Sequence, residues 1–98
     1  MGFKIEINSI LRSDEFPVLK TGATYPFEKS GSRVFFDDIP IWLTRMDWTA
    51  LAEIQVISQN RVSGNVVGQF RVLHIYEADE QKLLTGVFVR MYGGASSP

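Results

Sequence analysis

Val66-Val67-Gly68-Gln69-Phe70-Arg71-Val72-Leu73-His74-Ile75-Tyr76 decides the fold, together with Leu83-Leu84-Thr85-Gly86-Val87-Phe88-Val89-Arg90-Met91-Tyr92, which follows a polar break. Both stretches read as extended. In the first, Val66, Gly68, Phe70, Val72, His74 and Tyr76 share one face, and Val67, Gln69, Arg71, Leu73 and Ile75 share the other. In the second, Leu83, Thr85, Val87, Val89 and Met91 oppose Leu84, Gly86, Phe88, Arg90 and Tyr92. A strand with one solvated face is polar at every second residue, and these are not. Leu73, Ile75, Leu84, Phe88 and Tyr92 therefore need cover besides the main core. One source is the loop over residues 13–32. The other is a second copy of the chain, because two-fold dimers are the commonest oligomers and large exposed apolar patches mark partner sites.

Working upstream, Gln59 to Asn65 is rich in turn residues. Before it, Ala52, Ile54 and Val56 alternate with Glu53 and Gln55, giving a strand to about Ser58. Short connections favour antiparallel neighbours, so the last three strands are expected to form a meander. Met46 to Thr49 reads as a brief turn with Asp47 as a cap. Ile39–Thr44 and Arg33–Phe36 are short strands joined by an Asp37-Asp38 turn. Ser13 to Ser32 is irregular, with Phe16–Leu19 and Thr24–Phe27 as short edge strands around Gly22; Pro17 and Pro26 each remove a ladder donor. At the start, Phe3, Ile5 and Ile7 alternate with Lys4, Glu6 and Asn8, and the strand breaks near Asn8-Ser9 before running on to about Leu11. The expectation is an all-β fold: a small antiparallel, partly open barrel of about six to seven short strands with a C-terminal three-strand meander. It allows at most a short helical turn near residues 46–50. Gly68 and Gly86, inside strand patterns, read as bulges or tight bends.

Composition bounds the rest. The chain has 98 residues, of which 45% are apolar, enough for one core and one domain over residues 1–92. Residues 93–98 read as a flexible tail. The chain has no cysteine, which excludes a disulfide framework and a thiolate metal site and favours a cytoplasmic setting. The first residues form no apolar leader, and no run is long enough to span a membrane. A net charge of −1 gives no whole-domain attraction to nucleic acid or anionic lipid.

The chemistry-bearing residues form no catalytic signature. His74 is the single histidine, flanked by Leu73 and Ile75, and reads as structural. The acidic groups, Asp14-Glu15, Asp37-Asp38 and Glu77, Asp79 and Glu80, fall where turns are expected. Asp37 and Asp38, between Phe36 and Ile39, are the best placed of these to meet a ligand. No metal site, cofactor loop or nucleophile elbow is present. Arg33, Arg45, Arg61, Arg71 and Arg90 are interspersed with Tyr25, Phe35, Trp42, Trp48 and Tyr92, the residue types that hold single-stranded nucleic acid. Short strands with proline-bearing edges are similar in general look to small barrels of the translation-factor, OB and pseudouridine-synthase-associated kinds, a likeness of fold that carries no residue across. Three readings follow. The leading one is a non-enzymatic interaction module that self-associates or docks on another protein through Leu73, Ile75, Leu84, Phe88 and Tyr92. The second is an RNA-binding or single-stranded DNA-binding barrel using Arg71 and Arg90 beside aromatic residues. The third is a small-ligand barrel with Trp42 or Trp48 at its mouth and Asp37 or Asp38 at the rim.

Overall fold

The computed structural model describes residues 6–31 and 33–93. Among these residues seven strands form: β1 Glu6–Asn8, β2 Ile10–Arg12, β3 Thr24–Ser30, β4 Arg33–Phe35, β5 Ile41–Thr44, β6 Ala50–Val62 and β7 Asn65–Ile75. Helix α1, Ala78–Phe88, follows and passes into a π turn, Val89–Gly93. Five strands make one sheet in the order β2-β5-β6-β7-β3, while β1 and β4 form a separate two-stranded ladder. β2 runs parallel to β5, and the other neighbours in the large sheet are antiparallel. The sheet curls into an open half-barrel, so the expected mostly-β, partly open architecture holds. The expected break between β1 and β2 is at Ser9, whose carbonyl accepts the Trp42 N–H at 3.0 Å. The expected alternation at Phe3 and Ile5 and the tail beyond Gly93 lie outside the described residues.

The long β6–β7 hairpin organises the molecule. Its two-residue loop, Ser63-Gly64, takes positive φ at both positions, the geometry that matches the twist of two-residue hairpins. Two register shifts interrupt the ladder, between Glu53 and Ile54 and between Val56 and Ser58. Pairing passes from Val72 to His74, leaving Leu73 as the extra residue, and from Val56 to Ser58, leaving Ile57 as the extra residue. Each extra residue reverses which side chains face inward. Before the first shift Phe70 and Val72 enter the core. After it Ile75 packs on that core, and Tyr76 joins a different cluster on the other side. Gly68 sits opposite the second shift, where an added Cβ would lie 2.1 Å from the Ser58 carbonyl oxygen. The glycine permits a close backbone approach, as expected for a bulge.

The main core fills the concave side with Leu11, Leu43, Ile54, Val56, Phe70 and Val72, among others. Phe16 and Leu19 close over it from the segment before β3, and the Phe16 ring meets Phe70 edge-on at 5.1 Å. The loop thus covers the main core and not the second face that the sequence expectation had it cover, and Phe16–Leu19 is not a strand.

The C-terminal segment is the principal correction. Leu83–Tyr92 is not a third meander strand, and the helix is longer than a turn near residues 46–50. Ala78 to Leu84 are mostly good helix formers, and Asp79 and Glu80 complement the positive end of the helix dipole in its first turn. The period-two alternation is overridden because Leu84 and Phe88, one helical turn apart, reach the convex side of the sheet together. There Phe88, Tyr76 and Ala50 form a second buried cluster with Ile10, Trp42 and Trp48 packed on it. Thr85 Oγ1 accepts the Ala50 N–H at 2.9 Å and pins the helix to the start of β6. Gly86 is consequently helical, and an added Cβ there would meet nothing within 4 Å; it is no bulge.

Candidate functional site

The structure disperses the residues expected at a self-association face. Phe88 is buried within the chain at 3% exposure. Leu84 and Ile75 are half-buried against the two cores. Leu73 and Tyr92 retain exposed surface. Arg71 lies on β7 opposite Gln55 and Thr24, whereas Arg90 lies in the π turn, so the two do not share a sheet face. Asp37 and Asp38 are exposed in the bend before β5 and line no described cleft. Trp42 is half-buried beneath α1, edge-on to Phe88 at 5.4 Å. In the same cluster, the Tyr76 hydroxyl donates to Glu53 Oε2 at 3.0 Å. Burial, with Glu53 beside it, pushes the Tyr76 hydroxyl above the usual tyrosine range. This is a structural network, closed by its own partners.

What the fold does assemble is a cleft of about 300 Å³ lined by Asn8, Ser9, Ile10, Arg12, Arg33, Trp48 and Tyr92. Each element contributes for a local reason. Arg12 ends β2 and points away from the core that Leu11 enters. Arg33 opens β4, paired with Glu6 of β1. Trp48 belongs to the loop between β5 and β6, where its φ is 73°. A bulky residue seldom adopts this left-handed conformation, which costs on the order of 1–3 kcal/mol and persists only when its surroundings impose it. Here the loop is tied by Arg45 N–H to Thr49 O and Trp48 N–H to Arg45 O. Asp47 Oδ1 also accepts the backbone N–H and hydroxyl of Thr49, at 3.0 and 2.7 Å. These hydrogen bonds hold the Asp47 carboxyl below the usual carboxylate range. The conformation presents the indole to the cleft. The Arg12 guanidinium covers one face, 3.8 Å from the ring centroid, and the Tyr92 ring stacks on it at 5.1 Å and 22°. Arg12 also donates to the Met46 carbonyl.

Among the described residues that line this cleft, the charged ones are Arg12 and Arg33. Arg12 Nε and Arg33 Nε are both buried and have no hydrogen-bond acceptor among the described residues. Burial, then the nearby charges of Arg33 and Arg12, hold the Lys29 ammonium below the usual lysine range against the opposing pull of Glu15 and Asp14. A buried donor without an acceptor costs about 1–3 kcal/mol, and more when charged. Two arginines lining one cleft, with a third cation nearby, form a site complementary to an anion. With Arg12 and Tyr92 both packed on it, the indole serves as a wall that orients Arg12. A wider depression, of about 510 Å³, lies beside it between Ser13, Asp14, Phe16 and Arg45–Asp47. Its carboxylates are already engaged, Asp14 by the Met46 N–H and Asp47 by Thr49. Among the described residues no cluster of metal-ligating side chains forms, and no helix is long and apolar enough to cross a membrane.

Of these residues the sequence pattern singled out Trp48, Tyr92 and Arg33 but not Arg12. Its only sequence signal was a cation ending the first alternating segment, and nothing in the sequence placed it on Trp48, which is |i−j| = 36 away. No protein-family model and no curated protein matches the chain. Among solved structures it is similar to protein ytmB from Bacillus subtilis, determined by X-ray crystallography, with 19% identity and a TM-score of 0.65 over 80% of this chain and 98% of that one. At this identity the likeness establishes a shared fold and nothing further.

Proposed function

We propose that this half-barrel is a non-enzymatic binding module for a small molecule or side group carrying a compact oxyanion, phosphoryl or carboxylate, held by Arg12 and Arg33. The observation that carries the reading is that Arg12 and Arg33, whose buried Nε atoms have no acceptor among the described residues, line one cleft together. An oxyanion supplies the missing acceptors, and charge-assisted bonds of this kind are roughly twice as strong as neutral ones. The stack of Tyr92, Trp48 and Arg12 fixes one guanidinium in advance, which reduces the ordering cost of binding. The ligand-barrel expectation is thereby moved from a mouth rimmed by Asp37 and Asp38 to the cleft beside β2 and β4. Arg12 and Tyr92 already pack on the Trp48 indole, which counts against base stacking there.

Calorimetric titration with inorganic phosphate, pyrophosphate and acetate tests this. Binding of at least one of them is expected, weakening with salt as charge pairing requires. Arg33→Gln is expected to weaken binding by about tenfold or more, the equivalent of one charge-assisted bond. Equal affinity in Arg33→Gln and the parent chain, or no heat from any of the three anions at low salt, refutes the proposal.

A further inference from the structure

Among the described residues, the outward side of α1 has no partner. Leu83 is 70% exposed, and a shallow groove along this side is lined by Asp79, Lys82, Leu83, Gly86, Val87 and Arg90. Its central line, Asp79, Leu83, Gly86 and Arg90, is spaced by four, three and four residues. That is the alternation by which one helix presents a continuous seam to another. The seam is symmetric about the point midway between Leu84 and Thr85. When two copies pack antiparallel about that point, Asp79 of each meets Arg90 of the other at both ends. Leu83 of each meets Gly86 of the other at the centre, and Lys82 lies beside Val87. The central positions fit as knob and hole: Leu83 projects into solvent, and an added Cβ at Gly86 meets nothing within 4 Å among the described residues. The terminal positions fit by charge, since neither Asp79 nor Arg90 forms an ion pair among the described residues.

We infer that the outward face of α1 is a self-association surface, and that its occupant is a second copy of this chain packed antiparallel across a two-fold axis. A two-fold interface must be self-complementary, with each position meeting its symmetry mate, and this line of residues satisfies that in both shape and charge. The inference does not rest on the anion cleft, to which the π turn contributes Tyr92 and not Arg90. It replaces the expected sheet-face dimer: Leu84 and Phe88, expected outside, turn inward, and the neighbouring Leu83 and Val87 form the contact. A single short helix pair falls at the small end of specific interfaces, below about 1,200 Å² in total. The dimer is therefore expected to form and dissociate with concentration.

Sedimentation equilibrium from about 10 µM to about 1 mM, the range in which so small an interface titrates, reads the result. The apparent mass is expected to rise from the 11.1 kDa of one chain toward twice that value. Leu83→Glu, at an exposed position, is expected to keep the thermal midpoint and abolish the rise. Gly86→Gln, which fills the hole with a better helix former, is expected to leave the midpoint unchanged or higher and also abolish it. Asp79→Arg alone is expected to weaken association about tenfold or more, and adding Arg90→Asp is expected to restore it, because the swap reinstates both end pairs. A mass of one chain throughout the range overturns the inference, whatever covers the groove instead. An association constant unchanged by Leu83→Glu and Gly86→Gln overturns it equally.

Discussion

Gln59 shows how one side chain substitutes for a strand neighbour. Its amide accepts the Phe35 N–H at 3.0 Å and donates to the Phe35 carbonyl at 2.7 Å, holding β4 against the half-barrel. It points there because Ile57 is extra in the ladder and reverses the side-chain alternation of β6. Gln59→Leu removes both bonds and strands the Phe35 amide, so a loss of about 1–3 kcal/mol is expected in denaturant unfolding. Gly68→Ala forces a methyl group against the Ser58 carbonyl and is expected to cost a similar amount through overpacking. The expectation for Gly68 was legible in the sequence, as a glycine inside a strong strand pattern. The role of Gln59 was not, because a polar residue in a turn-rich stretch carries no sign of a register shift. His74 and Glu80 form an exposed pair at 2.9 Å. The hydrogen bond to Glu80 raises the His74 pKa above its ordinary value, and the same bond lowers that of Glu80. The histidine's contribution is therefore present below its unfolded pKa and lost as pH rises through the raised folded value. That of Glu80 is present above its unfolded pKa and lost as pH falls through the lowered one. An NMR titration of His74 is expected to show its midpoint fall in Glu80→Gln; an unchanged midpoint removes the pairing.

At the scale of elements, the C-terminal segment separates what pattern reveals from what packing decides. Leu83 to Tyr92 carries Val87, Val89 and Thr85, residues at home in strands, and alternation along it fits either state. The arbiter is the convex side of the sheet, where Ala50, Tyr76 and Trp42 leave a hollow that Phe88 fills from a helix. Nothing local to the segment announces that hollow. Two substitutions distinguish the states. Gly86→Ala is expected to stabilise the fold by about 0.5–1 kcal/mol in denaturant unfolding, since an exposed helical glycine gains from a methyl group. In an extended segment with Gly86 at a bulge, the same change destabilises. Phe88→Ala is expected to cost about 3–5 kcal/mol as a large-to-small change in a closed cluster, and a loss below about 0.5 kcal/mol, the size of a surface change, contradicts the packing. The strands themselves were largely legible, because alternation and turn residues are local signals. Their pairing was legible only for the β6–β7 hairpin, where the turn is short.

On the scale of the whole molecule, the half-barrel supplies two covers of its own: Phe16 and Leu19 over the concave side, and α1 over the convex side. The second apolar sheet surface expected from the sequence is not formed as such: Leu84 and Phe88 belong to α1, which itself covers the convex side. Among the described residues, the buried polar atoms left without a partner are the Thr44 hydroxyl and the Nε atoms of two arginines drawn from distant strands to one cleft, in a chain whose net charge is only −1. Composition conceals such a site, because it is created by β2, β4, the β5–β6 loop and the π turn converging in space. A ligand that binds only the folded chain also stabilises it, by about 2.7 kcal/mol when present at a hundred times its dissociation constant. The most direct test is a ¹H–¹⁵N NMR titration that follows the arginine Nε–H signals as inorganic phosphate is added. The signals of Arg12 and Arg33 are expected to move together along one saturating curve, while that of the exposed Arg71 stays in place. Signals of Arg12 and Arg33 that stay still, or that move no more than Arg71 does, contradict the account.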